Sequence, residues 1–327
     1  MAALTLALRQ RLVWVVVSLP ALLTALHAQQ RITPSRESAT ADLYSQATQT
    51  MLDREFASNR IEYLLLDLHS RQRIAMRWSH PETAIPVGSL LKPFVALAYA
   101  QQDSNRSASG TSMRREFPTI RCTGKSDGCW RTGGHGSLKL EQAVAVSCNA
   151  YFLALARELA ASDAGTNASS ATGTEALRRV AASYGLPSPP TPIPNTEQTL
   201  PRSWIGATSE WRIAPEALAQ AYVSLAMEAN DEVVHRLLDG MRQAAGAQGT
   251  AAKLGTHPGG ALAKTGTAPC VADDEPCIAS GDGLVVVLTP AENPTLLLMV
   301  RERGTTGAIA AEAAGKMLSR MESGREK

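Results

Sequence analysis

The sequence predicts an α/β (α+β) fold: a central antiparallel sheet of about five strands, built from both chain ends, flanked by helices and carrying an inserted all-helical subdomain over about residues 89–250. Two β-rich runs stand near the start, at Ile61–Leu68 and Arg73–Trp78, joined by the polar turn His69-Ser70-Arg71-Gln72. Three more stand near the end, at Ala261–Ala268, Gly283–Thr289 and Thr295–Arg301. Between the two groups the apolar residues recur at helical spacing, and no internal repeat is visible.

Taken in order, residues 1–28 read as a signal peptide. Arg9 and Arg11 form a positive start, Leu12–Leu26 an apolar run of 15 residues, and Leu26-His27-Ala28 a cleavage site. The run is short of the roughly 20 residues that cross a bilayer, and Pro20 interrupts it, so cleavage is favoured over anchoring. Membrane attachment through residues 12–26 is the alternative; either way the rest of the chain is expected outside the cytoplasm, in a periplasm-like space.

Residues 29–60 are read as a linker and an N-terminal helix at Ala41–Ser58, and residues 61–327 as one domain. Helices are expected at Leu90–Ala100, Lys139–Val146, Ala150–Ala160, Glu175–Tyr184, Pro215–Ala229, Asp231–Ala245 and Ala308–Arg320. Low-complexity stretches at Gln101–Arg115 and Ala161–Thr174 are loops, and six prolines between Pro187 and Pro201 exclude a regular element there.

Composition excludes some functions. With 327 residues, 44% hydrophobic and 19% charged, the chain can bury a full core. A net charge of +2, no long basic run and 5% aromatic residues give nucleic acid nothing to bind. Six scattered histidines form no ligand motif, so neither a metal nor another cofactor is expected.

The five cysteines stand at 122, 129, 148, 270 and 277, as two pairs with the same gap and one left over. In an oxidising compartment this predicts Cys122–Cys129 and Cys270–Cys277 disulfides. Zinc is the competing reading, but both gaps exceed the two to four residues usual between zinc cysteines, and no histidine pair sits nearby.

Chemistry concentrates in three places. Ser89 and Lys92 lie three residues apart at the mouth of an apolar helical run, on one face, where a neutral lysine can take the serine's proton. Ser147-Cys148-Asn149 supplies a second hydroxyl and an amide, and Lys264-Thr265-Gly266-Thr267 a cationic strand for an anionic substrate. Lysine is scarce here, seven against 25 arginines, yet two of the seven fall in these motifs.

Their order, with 58 residues from Ser89 to Ser147 and 117 from Ser147 to Lys264, resembles the S-x-x-K, S-x-N and K-T-G elements of the penicillin-binding protein and serine β-lactamase superfamily. The flanks resemble its transpeptidase branch: Gly88-Ser89 through Lys92-Pro93-Phe94, Gly134-His135-Gly136, Ser147-Cys148-Asn149-Ala150-Tyr151-Phe152, Ile205-Gly206, Ala214-Pro215, Gln220-Ala221-Tyr222, Gly249-Thr250-Ala251 and Lys264-Thr265-Gly266-Thr267. The likeness covers about residues 60–322, with too little chain before Ile61 for the large N-terminal domains of typical members, so a stand-alone form is expected.

The resemblance implies a β-lactamase/transpeptidase-like fold and serine acyl transfer on the D-Ala-D-Ala end of peptidoglycan stem peptides, with β-lactams as inhibitors and cell-wall proteins as partners. It implies Ser89 as nucleophile, Lys92 as general base, and Ser147 with Lys264 as proton relay. Asn149 would bind the substrate amide, Thr265 and Thr267 its carboxylate, and the Ser89 and Thr267 amides its oxyanion, while Gly266 lets the strand approach closely. A departure follows the third motif, where the family's aromatic segment is replaced by Ser280-Gly281-Asp282-Gly283. A serine β-lactamase and a non-catalytic sensor or scaffold stay open as alternatives, although no E-x-x-L-N segment for class A deacylation lies between Ser147 and Lys264.

Overall fold

The computed structural model of the chain describes residues 36–102, 115–164, 173–191, 199–269 and 281–323. The signal segment at 1–28, the cores of both low-complexity loops and the Cys270–Cys277 pair lie outside these residues. Compact units divide at residue 45. The described part of the first unit is the beginning of helix α1 (Arg36–Glu55), which starts five residues before the expected Ala41; the remainder of α1 opens the second unit.

Five strands form the main sheet: β1 (Ile61–Asp67), β2 (Arg73–Arg77), β7 (Leu262–Ala268), β8 (Asp282–Thr289) and β9 (Leu296–Glu302). Their order is β2-β1-β9-β8-β7 and every pairing is antiparallel. Tyr63 faces Val300, Val285 faces the same Val300, and Lys264 faces Val286, so the two chain ends are knitted through β9. The central strands are apolar on both faces because both faces are covered.

Period-two alternation sorts these residues into two cores. Tyr63, Leu65, Val285, Val287, Leu298 and Val300 pack with Ala310, Ala314, Met317 and Leu318 of α9 (Gly307–Ser323) and with Leu52 of α1. Leu64, Leu66, Val286, Leu288, Leu297 and Met299 turn the other way, onto the helical subdomain. Buried Arg301 ties three strands: its Nε donates to Asp282 Oδ2 at 2.8 Å on β8, and a terminal nitrogen lies 3.2 Å from Glu62 Oε2 on β1.

The helical subdomain comprises α2 (Lys92–Gln101), α3 (Leu140–Ala145), α4 (Asn149–Ala164), α5 (Gly173–Ser183), α6 (Leu200–Trp204), α7 (Pro215–Met227) and α8 (Glu232–Ala245). Pro215 sits in the first turn of α7, where a missing amide costs nothing. Asp231 caps α8, its carboxylate accepting from Val233 N and Val234 N. Helix α6 was not expected; it begins inside the proline-rich stretch because Pro201 occupies its first turn.

Two minor ribbons also escape the sequence reading. β3 (Ile85–Pro86) pairs with β6 (Arg212–Ile213), and β4 (Ile120–Cys122) pairs with β5 (Gly136–Leu138). Elements of two or three residues carry no readable period. Among the described residues, no helix is long and apolar enough to cross a membrane.

Candidate active site

Ser89 does not sit on a regular α-helix. Gly88–Leu91 form a 3₁₀ turn that hands over to α2 at Lys92, with Pro93 in the first turn. Positions three apart eclipse in a 3₁₀ turn, which puts Ser89 and Lys92 on one side. Ser89 is half-buried, while Gly88, Leu90 and Leu91 around it are buried.

Two glycines let this turn press onto strand β7. A Cβ at Gly88, whose φ is +57°, would stand 2.6 Å from Thr267 O, and a Cβ at Gly266 would stand 2.7 Å from Val87 O. Gly266 thus admits the backbone of the turn that carries Ser89, which is the close approach the structure contains. Behind the turn, fully buried Tyr222 donates to Leu90 O at 2.8 Å. Phe94 meets the rings of Tyr184 and Tyr222 edge-on at 5.4 and 5.6 Å.

Lys92 and Lys264 are both fully buried. Lys92 Nζ donates to Asn149 Oδ1 at 2.6 Å and Ser147 O at 2.7 Å, and lies 3.2 Å from Ser147 Oγ. Lys264 Nζ lies 2.9 Å from the same Ser147 Oγ and donates to Thr265 O at 2.8 Å. Burial pulls the Lys92 pKa down to about 7, against the opposing pull of Cys148 and Cys129. Burial first, and repulsion from Lys92 second, hold Lys264 well below the usual lysine range.

Ser147 occupies a strained position. Cys148 N donates to Ala143 O at 3.0 Å and Ser147 N to Val144 O at 3.1 Å, the paired bonds of a Schellman motif closing α3. Ser147 stands at its left-handed position, with φ of +49°, where glycine is the usual occupant. A serine there costs about 1–2 kcal/mol of backbone strain. Its hydroxyl, in return, is aimed between two buried amines.

The remaining expected residues surround this centre. Among the described residues strand β7 is an edge of the sheet, with no strand paired to its outer side. Thr265 is buried and its Oγ1 donates to Thr250 Oγ1 at 2.7 Å. Thr267 is exposed, and its Oγ1 accepts from Gly307 N at 3.1 Å. Thr250 and Gly307 belong to the site's frame although the sequence reading assigned neither a role. Trp130 is a further addition: 55% exposed, it donates from Nε1 to Val146 O at 3.3 Å, against the turn that bears Ser147.

The expected Cys122–Cys129 disulfide is not formed; Cys122, Cys129 and Cys148 are free thiols. Cys129 Sγ lies 3.8 Å from Cys148 Sγ, and Cys122 Sγ and Cys129 Sγ lie 3.6 and 3.4 Å from His135 Nδ1. The sulfurs are arranged around the histidine nitrogen instead of pairing in twos.

No curated protein matches the chain. Solved structures do, at low identity. The transpeptidase domain of penicillin-binding protein 3 from Burkholderia pseudomallei superposes with a TM-score of 0.61 and 14% identity, covering 88% of this chain and 94% of that one. Penicillin-binding protein 2 from Pseudomonas aeruginosa, solved with WCK 5153, gives 0.60 and 18%, covering 85% and 74%. Penicillin-binding protein 2 from Helicobacter pylori, solved in complex with MreC, gives 0.62 and 17%, covering 85% of this chain and 63% of that one. These likenesses establish the fold. The family model of the penicillin binding protein transpeptidase domain matches residues 54–319, a span that includes all three motifs, and the chain belongs to that family.

Proposed function

We propose that the chain is a serine D,D-acyltransferase acting on the D-Ala-D-Ala end of peptidoglycan stem peptides, as a D,D-transpeptidase or D,D-carboxypeptidase, and that β-lactams acylate it at Ser89. The observation that carries this reading is the single hydroxyl of Ser147 held 2.9 Å from Lys264 Nζ and 3.2 Å from the Nζ of Lys92, which itself stands one turn after Ser89. Two buried lysines cannot both hold a proton cheaply, so protons are readily passed among these groups.

In the proposed cycle, neutral Lys92 takes the Ser89 proton as Oγ attacks the scissile carbonyl carbon. The tetrahedral oxyanion is met by the amides of Ser89 and Thr267, each donor worth roughly 3–4 kcal/mol of barrier. The C–N bond then breaks, and the proton passes from Lys92 through Ser147 to the leaving D-alanine amine, while Lys264 stabilises the Ser147 oxygen. An acceptor amine or water later takes the acyl group from Ser89. Asn149 bonds the substrate amide and holds Lys92, an arrangement supported by its 2.6 Å contact to Nζ.

The substrate backbone lies along the unpaired edge of β7, as an added strand. Thr265 and Thr267 offer hydroxyls to the terminal carboxylate. Gly307 N already occupies one acceptor site on Thr267 Oγ1, which favours donation outward by its O–H. Export through residues 1–28 would put the domain where peptidoglycan is, and the neighbour solved with MreC supports a protein partner in cell-wall synthesis.

Incubation of the full chain with a fluorescent penicillin tests the reading. Stoichiometric, long-lived labelling that is lost in Ser89→Ala is expected. Rapid loss of label with drug hydrolysis would make the protein a β-lactamase, and no labelling would make it a scaffold.

A further inference from the structure

Cys122, Cys129, His135 and Cys148 come from three segments: the end of β4, the loop before β5, and the turn between α3 and α4. Their four ligand atoms all lie within 4.8 Å of one another. A disulfide needs sulfurs about 2.05 Å apart, whereas Cys129 Sγ and Cys148 Sγ stand at 3.8 Å. A tetrahedral zinc with Zn–S of about 2.3 Å and Zn–N of about 2.05 Å has S···S edges of about 3.8 Å and S···N edges of about 3.6 Å. Three of the six spacings match these edges, 3.8 Å for Cys129 Sγ to Cys148 Sγ and 3.6 and 3.4 Å for the sulfurs of Cys122 and Cys129 to His135 Nδ1, and all six lie within 4.8 Å. We propose that these four side chains form a Cys₃His site for one structural Zn²⁺.

The surroundings fit a metal better than a chance meeting of thiols. The three cysteines are buried. His135 turns Nδ1 to the sulfurs, while its buried Nε2 has no hydrogen-bond partner among the described residues. The loop from Cys122 to His135 is held by backbone-to-backbone approaches: a Cβ at Gly124 would stand 2.0 Å from Thr132 O, and one at Gly134 would stand 2.2 Å from Cys122 O. So short a loop has little apolar interior of its own, the situation in which metals hold small motifs together.

The consequence for the neighbouring site is mechanical. Cys148 lies between Ser147 and Asn149, both of which contact Lys92. A metal on Cys148 would brace the turn that holds Ser147 in its left-handed conformation. Binding releases thiol protons and transfers no electrons. The proposal stands whether or not Ser89 acylates.

The test uses the full chain, purified without chelator, and zinc as the probe. About one equivalent of zinc per chain is expected by elemental analysis, with near-complete loss in Cys122→Ser and in His135→Ala. Since either substitution can unfold the loop, the decisive arm is the unsubstituted chain, stripped of metal under reducing conditions and titrated with Co²⁺. Intense visible bands and a thiolate-to-cobalt charge-transfer band, saturating at about one equivalent and displaced by zinc, support the site. Absence of these bands overturns it, whether the thiols then titrate as free or the isolated protein's mass reveals a Cys122–Cys129 bridge.

Discussion

Lys264 Nζ stands 2.9 Å from the Ser147 hydroxyl oxygen, 117 residues away in the chain, and both groups are buried. A lysine amine from the sheet and a hydroxyl from a turn in the helical subdomain meet across the two halves of the fold.

The Schellman position of Ser147 separates strain from chemistry. Ser147→Gly and Ser147→Ala both remove the hydroxyl, yet only glycine fits φ of +49° without penalty. Ser147→Gly is expected to be the more stable of the two by about 1–2 kcal/mol in urea unfolding. Both variants should lose acylation by a penicillin about equally, by roughly 10²–10⁴-fold, as expected for loss of a proton-transfer group.

Acylation should follow the state of Lys92. With its pKa held at about 7 by burial, the amine is neutral above that pH and protonated below it. The rate of penicillin acylation should therefore rise through pH 7 and level off above pH ~8, falling about tenfold for each pH unit below ~6. A flat profile from pH 5 to 8, measured by stopped-time labelling, would remove Lys92 as the base.

Gly266→Ala probes the contact between strand and nucleophile turn. Its new Cβ would lie 2.7 Å from Val87 O, a backbone atom that can yield only by moving the turn. Destabilisation of about 1–3 kcal/mol is expected, with slower labelling of Ser89 because the turn is displaced. Thermal unfolding and labelling rate together check this.

Tyr222→Phe removes the donor to Leu90 O and leaves that buried carbonyl without its side-chain partner. A loss of about 1–3 kcal/mol in denaturant stability is expected. Acylation should fall less than in Ser147→Ala, since Tyr222 supports the turn from behind and takes no part in proton transfer.

How much of this was legible follows from the residues. The five main strands lie within a residue of their expected ends, three of them because Leu64–Leu66, Val285–Leu288 and Leu296–Val300 are unbroken apolar runs bounded by polar turns. The motif residues Ser89, Lys92, Ser147, Asn149 and Lys264 were named from spacing and resemblance, and the structure gathers Lys92, Ser147, Asn149 and Lys264 in one hydrogen-bonded group.

What stayed hidden depends on contacts between distant segments. The 3₁₀ turn at Gly88–Leu91 reads as ordinary helix in sequence, and its need for Gly88 and Gly266 arises only where β7 crosses it. Cysteine spacing misled for the same reason. Cys122 and Cys129 look like a pair along the chain, yet His135 from the same loop and Cys148 from the turn after α3 share their surroundings. Tyr222 stands within a recognisable motif, but nothing in its neighbours points to Leu90, 132 residues earlier.

The central claim is that Ser89 is the acylated residue and Lys92 its base. The most direct measurement is intact-mass and peptide-mapping analysis of the full chain after exposure to a penicillin, beside Lys92→Ala. A single adduct on the peptide containing Ser89, formed by the unsubstituted chain and absent or slower by at least ~10²-fold in folded Lys92→Ala, is the predicted result. An adduct mapped to another residue, or undiminished acylation in Lys92→Ala, would contradict it.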